Sequence, residues 1–138
     1  MICIVYISSA KLGLTYGEIL KIVKDSRINN EKNGLTGLLL FNSGNFMQLV
    51  EGTESAVDAL YRKIEKDRRH TEVKLLLKEP ITHRNFSDWT MGFKNIEKLK
   101  EMNPELHNSF LTDDLNFSVY QQNPYRALKF LETFKRII

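Results

Sequence analysis

The order in which strand and helix periodicities follow one another constrains this chain most. Ile2-Cys3-Ile4-Val5-Tyr6-Ile7 is apolar and largely β-branched, which predicts a strand over residues 2–8. Thr15-Tyr16-Gly17-Glu18 has capping-box spacing, in which a Thr and the Glu three residues on each satisfy a backbone N–H of the other. A helix follows to about residues 26–28, with Ile19, Ile22 and Val23 on one stripe, and the turn-forming run from Asn29 to Gly34 closes it. Leu35 to Phe41 and Phe46 to Gly52 read as strands joined by the hairpin turn Asn42-Ser43-Gly44-Asn45. Val57, Leu60, Tyr61 and Ile64 recur at helical spacing. Val73 to Leu77 reads as a fourth strand ended by Pro80, and residues 86–93 as a fifth.

This is a β-α-β-β-α-β order with one more strand. It predicts an α+β, ferredoxin-like sandwich with two helices on one sheet face and a groove between them as the natural ligand site. Residues 1–95 carry that unit. Residues 96–138 change character: Lys98 to Phe110 and Tyr125 to Ile138 look helical, with a Gln-Gln-Asn-Pro break before the second. The stripe Leu128, Leu131, Phe134 and Ile138 is too apolar for water and is expected to cover the second sheet face or a neighbouring subunit. No linker separates the two parts, so residues 96–138 read as a helical extension of the same domain.

Two side chains break the apolar pattern of their strands. Gln48 shares a face with Phe46 and Val50, and Tyr6 shares one with Ile2 and Ile4. An unpaired amide there costs on the order of 1–3 kcal/mol, so both point to a buried ligand with a polar edge. Cys3 alternates out of phase with Tyr6 and reads as a packed structural thiol, and a lone cysteine excludes an internal disulfide framework. Net charge is +3, with basic and acidic residues interspersed. The one basic cluster, Lys66-Asp67-Arg68-Arg69-His70, fits either a solvated helix end or an anion site. His70 has no second ligand at metal-binding spacing, and no signal peptide or membrane-spanning run is present, so a cytoplasmic location is expected.

Several short motifs form one series: Tyr6; Ser26-Arg27-Ile28-Asn29-Asn30; Gly34-Leu35-Thr36-Gly37; the run from Gly44 to Gly52; Asp67-Arg68-Arg69-His70; and Trp89-Thr90-Met91-Gly92-Phe93. In this order and spacing, residues 1–95 resemble the BLUF family of blue-light sensors using FAD. The later residues are similar to the short helical extension of its stand-alone members. Leu35 and Val50 are small departures that keep apolar character. The resemblance implies a non-enzymatic photoreceptor that binds FAD non-covalently, with FMN or riboflavin as alternatives. It implies that Tyr6 gives an electron and then a proton to the photoexcited flavin. It implies that Gln48 bridges Tyr6 and the flavin's polar edge and then rotates or tautomerises. Asn29 and Asn30 match that edge's amide ligands, although Asn-Asn is also an ordinary helix end. Ile22 and Ile64 match the aliphatic residues that sandwich the ring. Lys63 (with Arg62 as a substitute), Arg69 and His70 are candidates for the ribityl and phosphate region. Trp89 and Met91 match a pair near the glutamine, either switching residues or plain core. Two apart on a strand, they are expected to share a face.

The resemblance further implies signalling to a downstream protein partner and a homo-oligomer, with no direct contact to nucleic acid or membrane. Two other classes compete with this reading. A flavin-dependent redox enzyme needs a nicotinamide site, and no Gly-rich dinucleotide fingerprint occurs. A ferredoxin-like RNA-binding module needs exposed sheet aromatics and a basic stripe.

Overall fold

The computed structural model describes residues 1–102, 115 and 117–137. The elements are β1 (Ile2–Ala10), α1 (Tyr16–Asn33), β2 (Thr36–Asn42), β3 (Asn45–Gly52), α2 (Glu54–Lys66), β4 (His70–Pro80) and β5 (Gly92–Asn95). Helices α3 (Ile96–Met102), α4 (Phe117–Gln121) and α5 (Pro124–Ile137) follow. The strands form one sheet in the order β4-β1-β3-β2-β5. Pairing is antiparallel except between β2 and β5. The predicted α+β, ferredoxin-like arrangement is therefore observed, with the fifth strand added beside β2.

Local chemistry sets the boundaries. The Glu18 N–H donates to Thr15 Oγ1 and the Thr15 N–H to Glu18 Oε1, both at 3.1 Å, which completes the capping box. Helix α1 runs past the expected residues 26–28 to Asn33. Gly34, at φ 68°, takes the left-handed position that ends it. The β2–β3 hairpin turns on Ser43 and Gly44, whose φ angles of 52° and 77° match the twist of the flanking strands. The fifth strand departs from expectation: only Gly92–Asn95 pairs with β2, while residues 86–91 form bends and a turn. The apolar residues Phe86, Trp89 and Met91 imitate a strand pattern. The Trp89 N–H nevertheless closes a turn on the Phe86 carbonyl at 2.9 Å.

Strand alternation divides the core between the two sheet faces. Ile4, Tyr6, Leu39, Phe46 and Val50 pack under α1 and α2. Val5, Ile7, Leu38, Leu40, Met47 and Leu49 pack under Ile96, Tyr120, Ala127, Leu131 and Phe134 of the later helices. The C-terminal stripe thus covers the chain's own second sheet face. Leu131 and Phe134 are 0% and 1% exposed, and Leu128 is partly buried. Ile138 and residues 103–110 of the expected helix lie outside the described residues. Cys3 is buried, and desolvation, with Glu51 and Glu79 nearby, pushes its thiol up to about 11, which leaves it inert.

One buried carboxylate ties β3 to the second face. Glu51, 1% exposed, accepts from Thr36 Oγ1 at 3.0 Å, the Asn85 N–H at 2.9 Å and the Phe86 N–H at 2.7 Å. Asn85 in turn meets α5, donating to Glu132 and accepting from Lys135 Nζ.

Candidate functional site

The β1–β3 register sets Tyr6 directly opposite Gln48, and alternation turns both toward α1 and α2. They are 3% and 4% exposed. The Tyr6 hydroxyl donates to Gln48 Oε1, and Gln48 Nε2 donates to Met91 Sδ at 3.3 Å. A thioether is a weak acceptor, so the amide's donor side is held loosely while its acceptor side is held well. Burial first, then the neighbouring Tyr61 and Asp67, pushes the Tyr6 phenol far above its ordinary range. Tyr6 is therefore a neutral hydrogen-bond donor at any physiological pH.

A cleft of about 220 Å³ opens beside this pair between α1 and α2. That is several times the roughly 30 Å³ share of a single water. Its apolar walls are Ile22 from α1, Leu60 and Ile64 from α2, and Leu39 and Phe46 from the sheet. Tyr6, Gln48, Ser26 and Asn29 supply one polar margin, and Asp25, Lys63, Asp67, Arg69 and His70 supply charge and polarity as well. The Arg69 guanidinium grips Asp67 twice, Nε to Oδ1 at 3.0 Å and Nη2 to Oδ2 at 2.6 Å, and reaches Asp25 at 3.3 Å. It thereby bridges α1 and the segment after α2. The Arg69 hydrogen bond holds the Asp67 carboxyl below its usual range, and Asp67 raises Arg69 in return. His70 Nε2 lies 2.6 Å from the Ile64 carbonyl and Nδ1 3.0 Å from Ser8 Oγ. A carbonyl partner requires Nε2 to carry the proton, so in the neutral ring Nδ1 accepts from Ser8.

Ile22, Asn29, Lys63, Ile64, Arg69 and His70 thus line the same cleft as Tyr6 and Gln48. Asn30, the neighbour of Asn29 on α1, does not line the cleft and is fully buried. Its Nδ2 donates to the Thr90 carbonyl at 2.8 Å, and its Oδ1 has no partner. An acceptor stranded this way fits a ligand that brings an N–H. The Trp89–Met91 expectation is corrected. The two do not share a face, because residues 86–91 are not a strand. Met91, 2% exposed, lies against Gln48, while Trp89 packs on the opposite core with Phe86, ring centroids 5.7 Å apart. Sequence reasoning gave no site role to Leu39, Leu60, Asp25, Ser26 or Asp67. Period-two spacing from Phe41 reaches Leu39, and helical spacing from Ile64 and Ile22 reaches Leu60, Asp25 and Ser26.

A cleft with aliphatic walls and both donors and acceptors in its lining, with a buried partnerless acceptor on α1 besides, fits a tricyclic ring with a polar imide edge, as in a flavin. Among the described residues no cluster could hold a metal ion, and no helix is long and apolar enough to cross a membrane.

The family described as BLUF, sensors of blue-light using FAD, matches residues 1–92. The chain belongs to this family, whose domains bind flavin as their chromophore. It is 37% identical over 84 residues, 61% of its length, to photoactivated adenylate cyclase subunit alpha of Euglena gracilis, covering 8% of that protein. Over 117 residues, 85% of its length, it is 32% identical to the blue light- and temperature-regulated antirepressor of Escherichia coli K12, covering 28% of it. The chain therefore spans a small part of the curated relatives it matches. Among solved structures, the BLUF protein BlrB in its dark state is similar with a TM-score of 0.71 and 34% identity, covering 92% of this chain and 93% of that one.

Proposed function

We propose that this chain senses blue light through the Tyr6–Gln48–Met91 hydrogen-bond chain and passes the change to an effector, without catalysing a reaction itself. The observation that carries this reading is that Tyr6 and Gln48 line an apolar-walled cleft between α1 and α2, with the amide's donor spent on a weak acceptor. When bound, a flavin such as FAD supplies blue-light absorption and an oxidising excited state. Ile22 and Ile64 then face the ring from the two helices, and the Asn30 acceptor and the Asn29 amide serve its polar edge. Lys63, Arg69 and His70 stand at the charged margin, where a ribityl–phosphate chain would leave the cleft.

Tyr6 is the oxidisable group. Its ring gives up an electron and its phenolic proton passes along the existing bond to Gln48 Oε1. Burial raises the cost of a phenolate, so electron and proton loss are coupled at this residue. Gln48 is the switch because a primary amide carries a donor and an acceptor on one side chain. Exchanging their places moves the donor from Met91 Sδ to Tyr6 Oη and changes the hydrogen bond offered to the cleft, with no covalent product. Residues 1–95 act as the sensor and residues 96–138 as the extension that carries the change. Glu51, three residues after Gln48, connects β3 through Asn85 to α5. The effector is a protein contacted by the helical extension.

Heat denaturation of the purified yellow protein is expected to release intact FAD into the supernatant. Tyr6→Phe is expected to keep the flavin and lose the light-induced red shift. Flavin that stays with the precipitate, or a normal red shift in Tyr6→Phe, would contradict the reading.

A further inference from the structure

Residues 89–91 belong to no strand or helix, yet each of their carbonyls is held from elsewhere. The Gly37 N–H of β2 donates to the Trp89 carbonyl at 3.0 Å. Asn30 Nδ2 donates to the Thr90 carbonyl at 2.8 Å, and Arg27 Nε donates to the Met91 carbonyl at 2.9 Å. Arg27 and Asn30 are three apart on α1, so one helix face grips consecutive carbonyls. The Arg27 bond is charge-assisted and so the stronger of the two. Arg27 does not line the main cleft. It lines a second hollow with Glu31, Thr90 and Met91 and touches the segment rather than the ligand site.

The segment has two large side chains to place, and the backbone decides which faces Gln48. With the Met91 carbonyl fixed, the thioether stands 3.3 Å from Gln48 Nε2. The Trp89 ring lies over Gly92 on the opposite side. A Cβ added at Gly92 would come 2.3 Å from Trp89 Cε3, so the outward indole needs glycine there. We infer that Arg27 is a positioning residue that sets which side chain of the Trp89–Met91 segment stands against Gln48, keeping methionine inward and tryptophan outward. This rests on the reading of Gln48 as the switch. It also adds a route from Gln48 through Met91 and Arg27 to α1.

The chain has one tryptophan, so the indole N–H resonance in an NMR spectrum reports the segment without interference. In the flavin-loaded parent kept dark, one resonance is expected from the outward indole. Arg27→Ala is expected to raise the inward population about tenfold, seen as a second indole resonance, because a hydrogen bond to a charged group is lost. Arg27→Lys keeps a charged donor and is expected to restore the parent pattern. Arg27→Gln, with a neutral donor, is expected to fall between. A purely structural role would lower thermal stability in these variants and leave the resonance unchanged. An unchanged single resonance in both Arg27→Ala and Arg27→Gln overturns the inference. Failure of Arg27→Lys to restore the parent pattern overturns it too. If Arg27→Ala does not fold, Arg27→Gln and Arg27→Lys decide alone. A parent that shows no light-driven spectral shift overturns the proposed function and not this inference, because the resonances are recorded in the dark.

Discussion

On β3, Met47 and Leu49 are wholly buried in the core capped by the C-terminal helices, while Gln48 between them faces the cleft of α1 and α2. The same alternation runs through β2, where Leu38 and Leu40 point to the core under the C-terminal helices and Leu39 to the cleft. One face is finished with Leu131, Phe134 and Tyr120, which bring no unpaired polar group into it. The other keeps a phenol and a loosely held amide beside open space, with the partnerless Asn30 acceptor buried on the same side of the sheet. Fixed packing suits stability and loosely held hydrogen bonds suit rearrangement, so one sheet separates the two by which way a side chain points. Changes on the dry face should therefore cost stability and spare the photochemistry, and changes on the cleft face should do the reverse.

The largest expected effect comes from Phe134→Ala. Removing a wholly buried aromatic side chain costs about 3–5 kcal/mol. Thermal denaturation should show this as a Tm lower by roughly 10–20 °C. The folded variant should still show a light-induced red shift, and losing it in soluble, folded protein would break the division between faces. Glu51→Ala comes next, at roughly 2–3 kcal/mol, because two backbone N–H groups lose their buried acceptor. It also cuts the connection to Asn85, so denaturant unfolding and the light response of α5 should change together. A variant altered in stability alone would remove Glu51 from the relay.

Gln48→Leu should cost roughly 1–2 kcal/mol in denaturant unfolding, because the buried Tyr6 hydroxyl loses its acceptor although the amide's donor met only a thioether. The smallest expected effect is on pH dependence. Burial raises the Tyr6 pKa in the folded protein, whereas the unfolded chain ionises near its ordinary value of about 10. The unfolded state then sheds a proton that the folded state keeps, so this stability is intact below about pH 10 and falls as pH rises above it. The red-shift amplitude should stay level up to pH 10. A decline between pH 7 and 9 following phenolate absorbance would show Tyr6 less buried than described.

Much of this was legible in the sequence because it depends on short-range periodicity. Strand alternation turns Tyr6 and Gln48 each toward the layer under α1 and α2, while their pairing across β1 and β3 came from the family resemblance. The aliphatic walls follow from helical spacing of Ile22 and Ile64, and the cover over the second face from the stripe containing Leu131 and Phe134. What escaped depends on contacts distant in sequence. Residues 86–91 look like a strand because Phe86, Trp89 and Met91 are apolar. Their path is fixed instead by Gly37, Asn30 and Arg27, more than fifty residues earlier. That is why Trp89 and Met91 came out on opposite faces. The length of α1 was underestimated for a simpler reason. Asn29 and Asn30 suggest a helix end, but the stop is Gly34, the residue able to adopt φ 68° without strain.

The most direct test of the central claim is the light-minus-dark absorption difference spectrum of purified parent protein beside that of Gln48→Leu, both loaded with FAD. The account predicts a reversible red shift of the flavin bands in the parent, and bound flavin with no such shift in the variant. A normal red shift in Gln48→Leu would contradict it.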